Sequence, residues 1–286
     1  MSTYRIEEDC LGQIKVEADK YWKSQTQRSL ENFKIGQELM PASLIHSFAI
    51  LKEACAKANL HFNKITEKQC EAIIEICQRI EDGQYLDQFP LHVWQTGSGT
   101  QTNMNANEVI ANRAIEILGG KKGDYTIVNP NDDVNCGQST NDVIPTAGKM
   151  TSLHLLQNLK KQLLRLYDAL NEKAKEFDHV IKMGRTQMQD AVPIRLGQEF
   201  KAYSVAIMRD IHRMDKAMDE MRTLNMGGTA IGTGINADEN YLRRIVPNLS
   251  EISGMEFIQA FDLIDATQNL DSFVAVSGAV KACAVT

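Results

Sequence analysis

Three polar segments carry residues whose types and spacing could do chemistry. They are Thr96-Gly97-Ser98-Gly99-Thr100-Gln101-Thr102-Asn103-Met104-Asn105, Ser139-Thr140-Asn141-Asp142 and Gly184-Arg185-Thr186-Gln187-Met188-Gln189-Asp190-Ala191-Val192-Pro193. Each sets hydroxyls and carboxamides beside an apolar helical run, so each is expected to offer neutral hydrogen-bond donors at a helix end, an arrangement that suits a small carboxylate. Together they point to an enzyme acting on a dicarboxylic acid. Taken singly, each has a plainer reading. Ser139 to Asp142 before Pro145 is a good helix start, with capping side chains, an acid in the first turn and an early proline. The Gly97 to Thr100 loop is neither a lysine-bearing phosphate loop nor a dinucleotide fingerprint, and Gly227 to Gly234 would serve tight turns or close helix packing. None of the six histidines sits in a triad or metal pair, and His154, His179 and His212 read as helix-face residues. No metal and no cofactor is implied.

The elements that must position these segments are helical. Leu44, Phe48, Leu51, Cys55 and Ala58 recur at spacings of three and four, as do Ile73, Cys77 and Ile80 behind the capping box Thr66-x-x-Gln69, with Gly83 as a stop. Residues 104–118 give another amphipathic run, ended by Gly119-Gly120. From about residue 144 the runs lengthen: Leu156, Leu159, Leu163, Leu166, Leu170, Ala174 and Phe177, then Tyr203, Ile207, Ile211, Met214, Met218 and Met221. Such seams demand partner helices, and their narrowness leaves room for helices from other subunits. A last helix is predicted from about Asp262 to Thr286, with no stop signal behind it, so it reads as unfinished. Strand is expected in a hairpin containing Gly12-Gln13-Ile14-Lys15-Val16 and in an extended piece near Tyr125-Thr126-Ile127-Val128. The fold class is therefore mainly all-α. A small N-terminal helical domain (1–140) is followed by the first long helices of a central bundle (141–286), the change falling near Asn129-Pro130-Asn131-Asp132.

Composition excludes several classes. The 286 residues carry 31 Lys+Arg against 37 Asp+Glu, a net charge of −6, with no basic block that could track a phosphate backbone, so nucleic acid is not an expected partner. The cysteines (Cys10, Cys55, Cys70, Cys77, Cys136, Cys283) are scattered, without a Cys-x-x-Cys pair, which fits a reduced, cytoplasmic protein. Glu7, Glu8 and Asp9 stand where a signal peptide would need an apolar core, and no apolar stretch is long enough for a bilayer, so no membrane is expected.

Five separated segments, in order, carry a family resemblance that covers essentially the whole chain. They are Tyr21-Trp22 with Gln25 to Phe33, the Gly97-Ser98-Gly99-Thr100 loop with Asn103-Met104-Asn105, the Asn129-Pro130-Asn131-Asp132 turn, Ser139-Thr140-Asn141-Asp142, and Gly184-Arg185-Thr186 with Gln189 to Pro193. The sequence resembles the N-terminal three-fifths or so of the aspartase/fumarase superfamily, and within it the aspartate ammonia-lyases and the class II fumarate hydratases. Residues 21–33 and 94–100 are fumarase-like. Gln187 stands where fumarases carry histidine, Asn129 replaces another histidine, and Thr140 replaces a serine, all of which lean to aspartase, as do Ile231 to Asn236 and Asp262 to Thr267.

The resemblance implies an ammonia-lyase that converts L-aspartate to fumarate and ammonia by anti elimination through an aci-carboxylate, with Thr100, Ser139 and Thr140 donating to that carboxylate. It implies that Asn141, Thr186 and the catalytic candidate Gln187 hold the amino group and position the other carboxylate, with Ser98 as an additional member. It implies a homotetramer whose sites are shared between subunits. The family's base, a serine on a Gly-Ser-Ser-x-Met-Pro-x-Lys-x-Asn-Pro loop, has no counterpart here, from which the 286-residue chain alone is expected to be inactive. Fumarate hydratase is the first alternative, and a non-catalytic helical assembly module the second.

Overall fold

A computed structural model describes residues 3–286. The chain forms two compact units: one runs to Thr151 and resumes over Thr223–Asn269, and the other takes Ser152–Arg222 and Leu270–Thr286.

The first unit opens with an antiparallel hairpin, β1 (Tyr4–Asp9) and β2 (Gly12–Glu17), in which Asp9 pairs with Gly12 and Tyr4 with Glu17. Then come α1 (Ser24–Asn32), α2 (Ala42–His61), α3 (Glu67–Glu81) and α4 (Thr100–Ile117). The spacing read from the sequence is the packing observed: Phe48, Leu51, Cys55 and Ala58 of α2 and Ile73, Cys77 and Ile80 of α3 are all buried. The capping box forms as predicted. Gln69 N–H donates to Thr66 Oγ1 at 3.3 Å and Thr66 N–H to Gln69 Oε1 at 2.9 Å, satisfying two donors that a helix start otherwise leaves unpaired.

Helix α1 has no capping side chain of its own. The fully buried Glu108 of α4 supplies one from a distance. Its carboxylate accepts from the backbone N–H of Lys23 (2.8 Å), Gln25 (2.9 Å) and Thr26 (3.2 Å) and from the Thr26 hydroxyl (2.6 Å). Burial pushes the Glu108 carboxyl up to about 7, against the pull of those donors. Glu108→Ala would leave four donors without their acceptor, the two on Thr26 buried, and is expected to lower the unfolding free energy by roughly 3 kcal/mol or more. Urea denaturation of the two proteins checks this; an unchanged midpoint would show that water replaces the carboxylate freely.

Residues 125–128 do not form the predicted extended piece. The segment is a turn, because Tyr125 is drawn inward. Its hydroxyl donates to Glu7 of β1 at 2.9 Å and accepts from Asn112 of α4 at 3.2 Å, while the backbone has no neighbouring strand to pair with. A single π turn over Pro130–Val134 follows, headed by Asn129, whose side chain accepts from Asn131 and Asp132 N–H.

Helix α5 (Thr140–Glu176) runs from the first unit into the second. The second unit continues with the antiparallel hairpin β3 (Ile181–Thr186) and β4 (Gln189–Arg195), then α6 (Leu196–Met221). Within this unit α5 and α6 lie antiparallel, joined by Lys160–Asp215 at 2.6 Å and by Lys201 and Ser204 to Asn171 at 2.8 and 3.2 Å. Gly197 lets the helices meet, since a Cβ there would stand 2.2 Å from the Ala174 carbonyl oxygen. The predicted seams are buried in part. Leu156, Leu163, Ile207, Ile211, Met214, Met218 and Met221 are covered, but Leu166 is 46% and Tyr203 54% exposed.

The first unit is completed by the short parallel pair β5 (Thr223–Leu224) and β6 (Ile258–Gln259), with α7 (Glu239–Ser253) between them and α8 (Leu263–Gln268) after. The single last helix predicted from Asp262 is two. The backbone turns extended at Asn269 and restarts as α9 (Asp271–Val285), which packs on α6 in the second unit. Among the described residues no helix is long and apolar enough to cross a membrane.

Candidate active site

In the first unit, the starts of α4 and α5 and the Gly227 to Asn236 loop surround a cavity of about 360 Å³, within the usual range for small-molecule sites. Asn103 and Met104 line it from α4, Asn135 and Gln138 from the turn before α5, Ser139 and Thr140 from the helix start, and Thr229 and Asn236 from the loop. A larger groove of about 890 Å³ lies in the second unit among Lys175, Arg195, Lys201 and Arg209, but it contains none of the motif residues. The smaller cavity is the better candidate because neutral polar groups converge on it.

Two of the predicted hydroxyls face this cavity already oriented. Ser139 Oγ accepts from Asn141 N–H at 3.2 Å, and Thr140 Oγ1 accepts from Asn103 Nδ2 at 3.2 Å. A hydroxyl that accepts from its own scaffold keeps its one proton for another oxygen. Thr100 is the first residue of α4 and is not among the lining residues; its hydroxyl shares a hydrogen bond with Ser98 Oγ at 3.0 Å. Gly99, at φ +73°, brings this turn against α5, where a Cβ would stand 2.7 Å from Ile144 Cδ1. Asn141 is exposed and donates through Nδ2 to the Ala230 carbonyl at 2.6 Å, leaving Oδ1 as an acceptor.

Asp142, the acid of the helix start, is buried and joins these pieces. It accepts from Ser139 N–H at 2.9 Å and, across the fold, from Gly227 and Thr229 N–H at 3.2 and 3.0 Å. Burial raises its carboxyl to about 6, against these three donors. Asn225 adds a second tie, donating to the Asn141 carbonyl at 3.0 Å.

The third motif corrects the expectation of a helix end. Thr186 and Gln187 belong to the second unit and sit at the tip of the β3–β4 hairpin, where Thr186 pairs with Gln189. Gln187 and Met188 form the two-residue loop with φ of 51° and 64°, the left-handed pair of a type I′ turn that normally takes Asn-Gly. Both side chains are exposed, Met188 to 92%. Two non-glycine residues held there store strain, as segments that present side chains to ligands often do. Lys182 and Arg185 are matched within this unit by Glu199 and Asp190, at 2.5 and 3.1 Å.

Sequence reasoning missed the groups that hold the hydroxyls. Asn103 stood in the quoted loop without a role, and Asn135, Gln138, Asn225 and Thr229 had none. Lys52 was overlooked as well, although a lysine flanked by Leu51 and Cys55 on an apolar face is itself a signal.

Residues 12–286 match the family described as "Lyase". The chain belongs to this lyase family, that of the aspartase/fumarase superfamily. It is 48% identical to aspartate ammonia-lyase of Bacillus subtilis (strain 168), over 98% of this chain and 59% of that protein. Against class II fumarate hydratase of Helicobacter pylori (strain J99) the identity is 45%, over 98% and 61%. Of solved structures, fumarate lyase:delta crystallin from Brucella melitensis superposes with a TM-score of 0.95 at 44% identity, covering 99% of this chain and 62% of that one. Class II fumarase from Schistosoma mansoni gives a TM-score of 0.95 at 35% identity, covering 99% and 63%. The chain thus spans about three-fifths of the length of these relatives.

Proposed function

We propose that the complete protein is an ammonia-lyase that forms fumarate from L-aspartate. A base removes the proton from the carbon beside one carboxylate, the C–N bond breaks with its electron pair leaving on nitrogen, and the C=C bond forms. Charge accumulates on that carboxylate as the proton leaves, so donors already aimed at it lower the barrier without reorganising. The observation that carries the reading is the pair of cavity-facing hydroxyls, Ser139 and Thr140, each accepting from its own scaffold and so free to donate.

The preference for aspartate rests on two further groups. Asn141 has committed its amide donor to Ala230, which leaves an oxygen suited to an ammonium. Gln187 can hydrogen-bond an amino group but cannot exchange a proton near neutral pH, as a histidine would to handle water. The fumarase-like residues 94–100 favour class II fumarate hydratase as the second reading, and the same hydroxyls would serve it. Neither the fold nor the comparisons support inactivity of the chain. The exposed Leu166 and Tyr203 on the long seams support their burial against neighbouring subunits, in keeping with the homotetramer that the family resemblance implies for the complete protein.

The deciding measurement compares fumarate release from L-aspartate and from L-malate by the complete protein. Aspartate is expected to react far faster; a faster reaction with malate would replace this reading with the hydratase.

A further inference from the structure

We propose that Lys52 is a positioning residue that fixes the direction in which the Thr140 hydroxyl donates, acting through the side chains of Asn135 and Asn103. The inference rests on the reading of Thr140 as a carboxylate donor and names what makes it one.

Lys52 lies on α2 and is 0% exposed. Its ammonium donates to Asn135 Oδ1 at 2.9 Å and to Gln138 Oε1 at 2.7 Å. Burial lowers it to about 8, so it still carries its charge at neutral pH. An ammonium has three donors and no acceptor, so both carboxamides must turn their oxygens towards it. The opposite side of each amide agrees independently. Gln138 Nε2 faces the carbonyls of Val134 and Cys136 at 3.0 and 3.2 Å, and Asn135 Nδ2 faces the Gln138 carbonyl at 3.4 Å. Carbonyls only accept, so this side opposes reversal of both amides, firmly at Gln138 and only weakly at Asn135, where the 2.9 Å bond to the Lys52 ammonium is the stronger hold.

The orientation then passes outward. Asn103 meets Asn135 Oδ1 at 3.2 Å, and because that oxygen is held in place, Asn103 must present its NH₂ group. The same Nδ2 reaches Thr140 Oγ1 at 3.2 Å. Thr140 therefore accepts on this side, and its single proton points away from Asn103, on a residue that lines the cavity. Without Lys52 only the long 3.4 Å contact with the Gln138 carbonyl would hold Asn135, too weak a restraint to stop Asn135 and Asn103 from both reversing. Asn103 Oδ1, a buried atom with no protein partner, would then capture the Thr140 proton. A hydroxyl that donates to Asn103 cannot donate to a substrate carboxylate. Lys52 itself is too deeply buried for solvent to substitute for it, and it does not line the cavity, so its influence has to travel through the two asparagines.

The test is a double-mutant cycle in the complete protein, assayed with whichever of L-aspartate or L-malate it turns over. Lys52→Met is expected to lower kcat about tenfold or more and to change KM by less than about threefold, because the donor matters most where charge builds. In a Thr140→Ala background the same substitution should change kcat by less than about twofold, since the group it directs is gone. Effects that multiply independently would overturn the inference. A second pair decides the matter even where Lys52→Met does not fold. Asn103→Asp replaces the donor with acceptors that take the Thr140 proton, and should lower kcat more than Asn103→Ala, which merely releases it. The reverse order would overturn the relay. A wild-type rate in Thr140→Ala sinks the carboxylate-donor reading and this inference with it, whereas a slow Thr140→Ala with an independent Lys52 effect sinks this inference alone.

Discussion

Thr140→Ala, Ser139→Ala and Thr100→Ala are each expected to lower kcat of the complete protein by roughly 10²-fold or more, the usual scale for one lost donor to a developing negative charge. The structure gives the three substitutions different routes to that loss. Ser139 and Thr140 line the cavity with accepting contacts already made to Asn141 N–H and Asn103 Nδ2, so alanine removes a donor whose direction was fixed. Thr100 is one turn from the lining residues Asn103 and Met104 and shares a hydrogen bond with Ser98, so its substitution also removes a neighbour from that hydroxyl pair. The competing account is that these residues only cap helices. A lost cap costs about 1 kcal/mol of stability and little rate. Measuring kcat beside the denaturation midpoint separates the two, and unchanged kcat in all three variants would leave capping as their whole role.

Gln187→His should lower ammonia-lyase activity of the complete protein by roughly 10- to 100-fold without creating an efficient hydratase. The backbone is not the obstacle. Gln187 sits at φ 51°, and histidine is among the residues that tolerate the left-handed region. The loss comes from exchanging a neutral amide, with a donor and an acceptor on one carbon, for a ring that has a different reach and gains charge near neutrality. One side chain also rarely rebuilds the surroundings that a water-handling group needs. Steady-state rates with L-aspartate and with L-malate read both halves of the expectation. Undiminished aspartate turnover in Gln187→His would remove Gln187 from the candidate catalytic set.

The sequence by itself determined the helices, the capping box at Thr66 and Gln69, the hairpin containing Gly12 to Val16 and the polar residues that converge at the start of α5. These follow from interactions a few residues long: three-and-four spacing of apolar side chains, a cap that bonds to the next turn, a glycine that permits a tight reversal. The same local rules failed where distant groups competed with them. Tyr125 abandons an extended backbone for a hydrogen bond to Glu7, and the Gly184 to Pro193 motif becomes a strained hairpin tip instead of a helix end. The apolar run from Asp262 likewise breaks at Asn269, where the chain passes from one compact unit to the other.

Tertiary structure alone decided which polar groups serve one another. Residues 223–269 return to the first unit, so Asp142 can accept from Gly227 and Thr229, some 85 positions away in the chain. Glu108 caps a helix that begins 84 residues before it. Lys52 reaches Asn135 and Gln138 across a comparable separation. A buried charge or amide must find its partner wherever the packed chain brings one, because leaving it unpaired away from water costs more than any local preference can offset. The types of these residues were legible in the sequence, but the direction of their hydrogen bonds was not, since that direction depends on atoms that only folding makes neighbours.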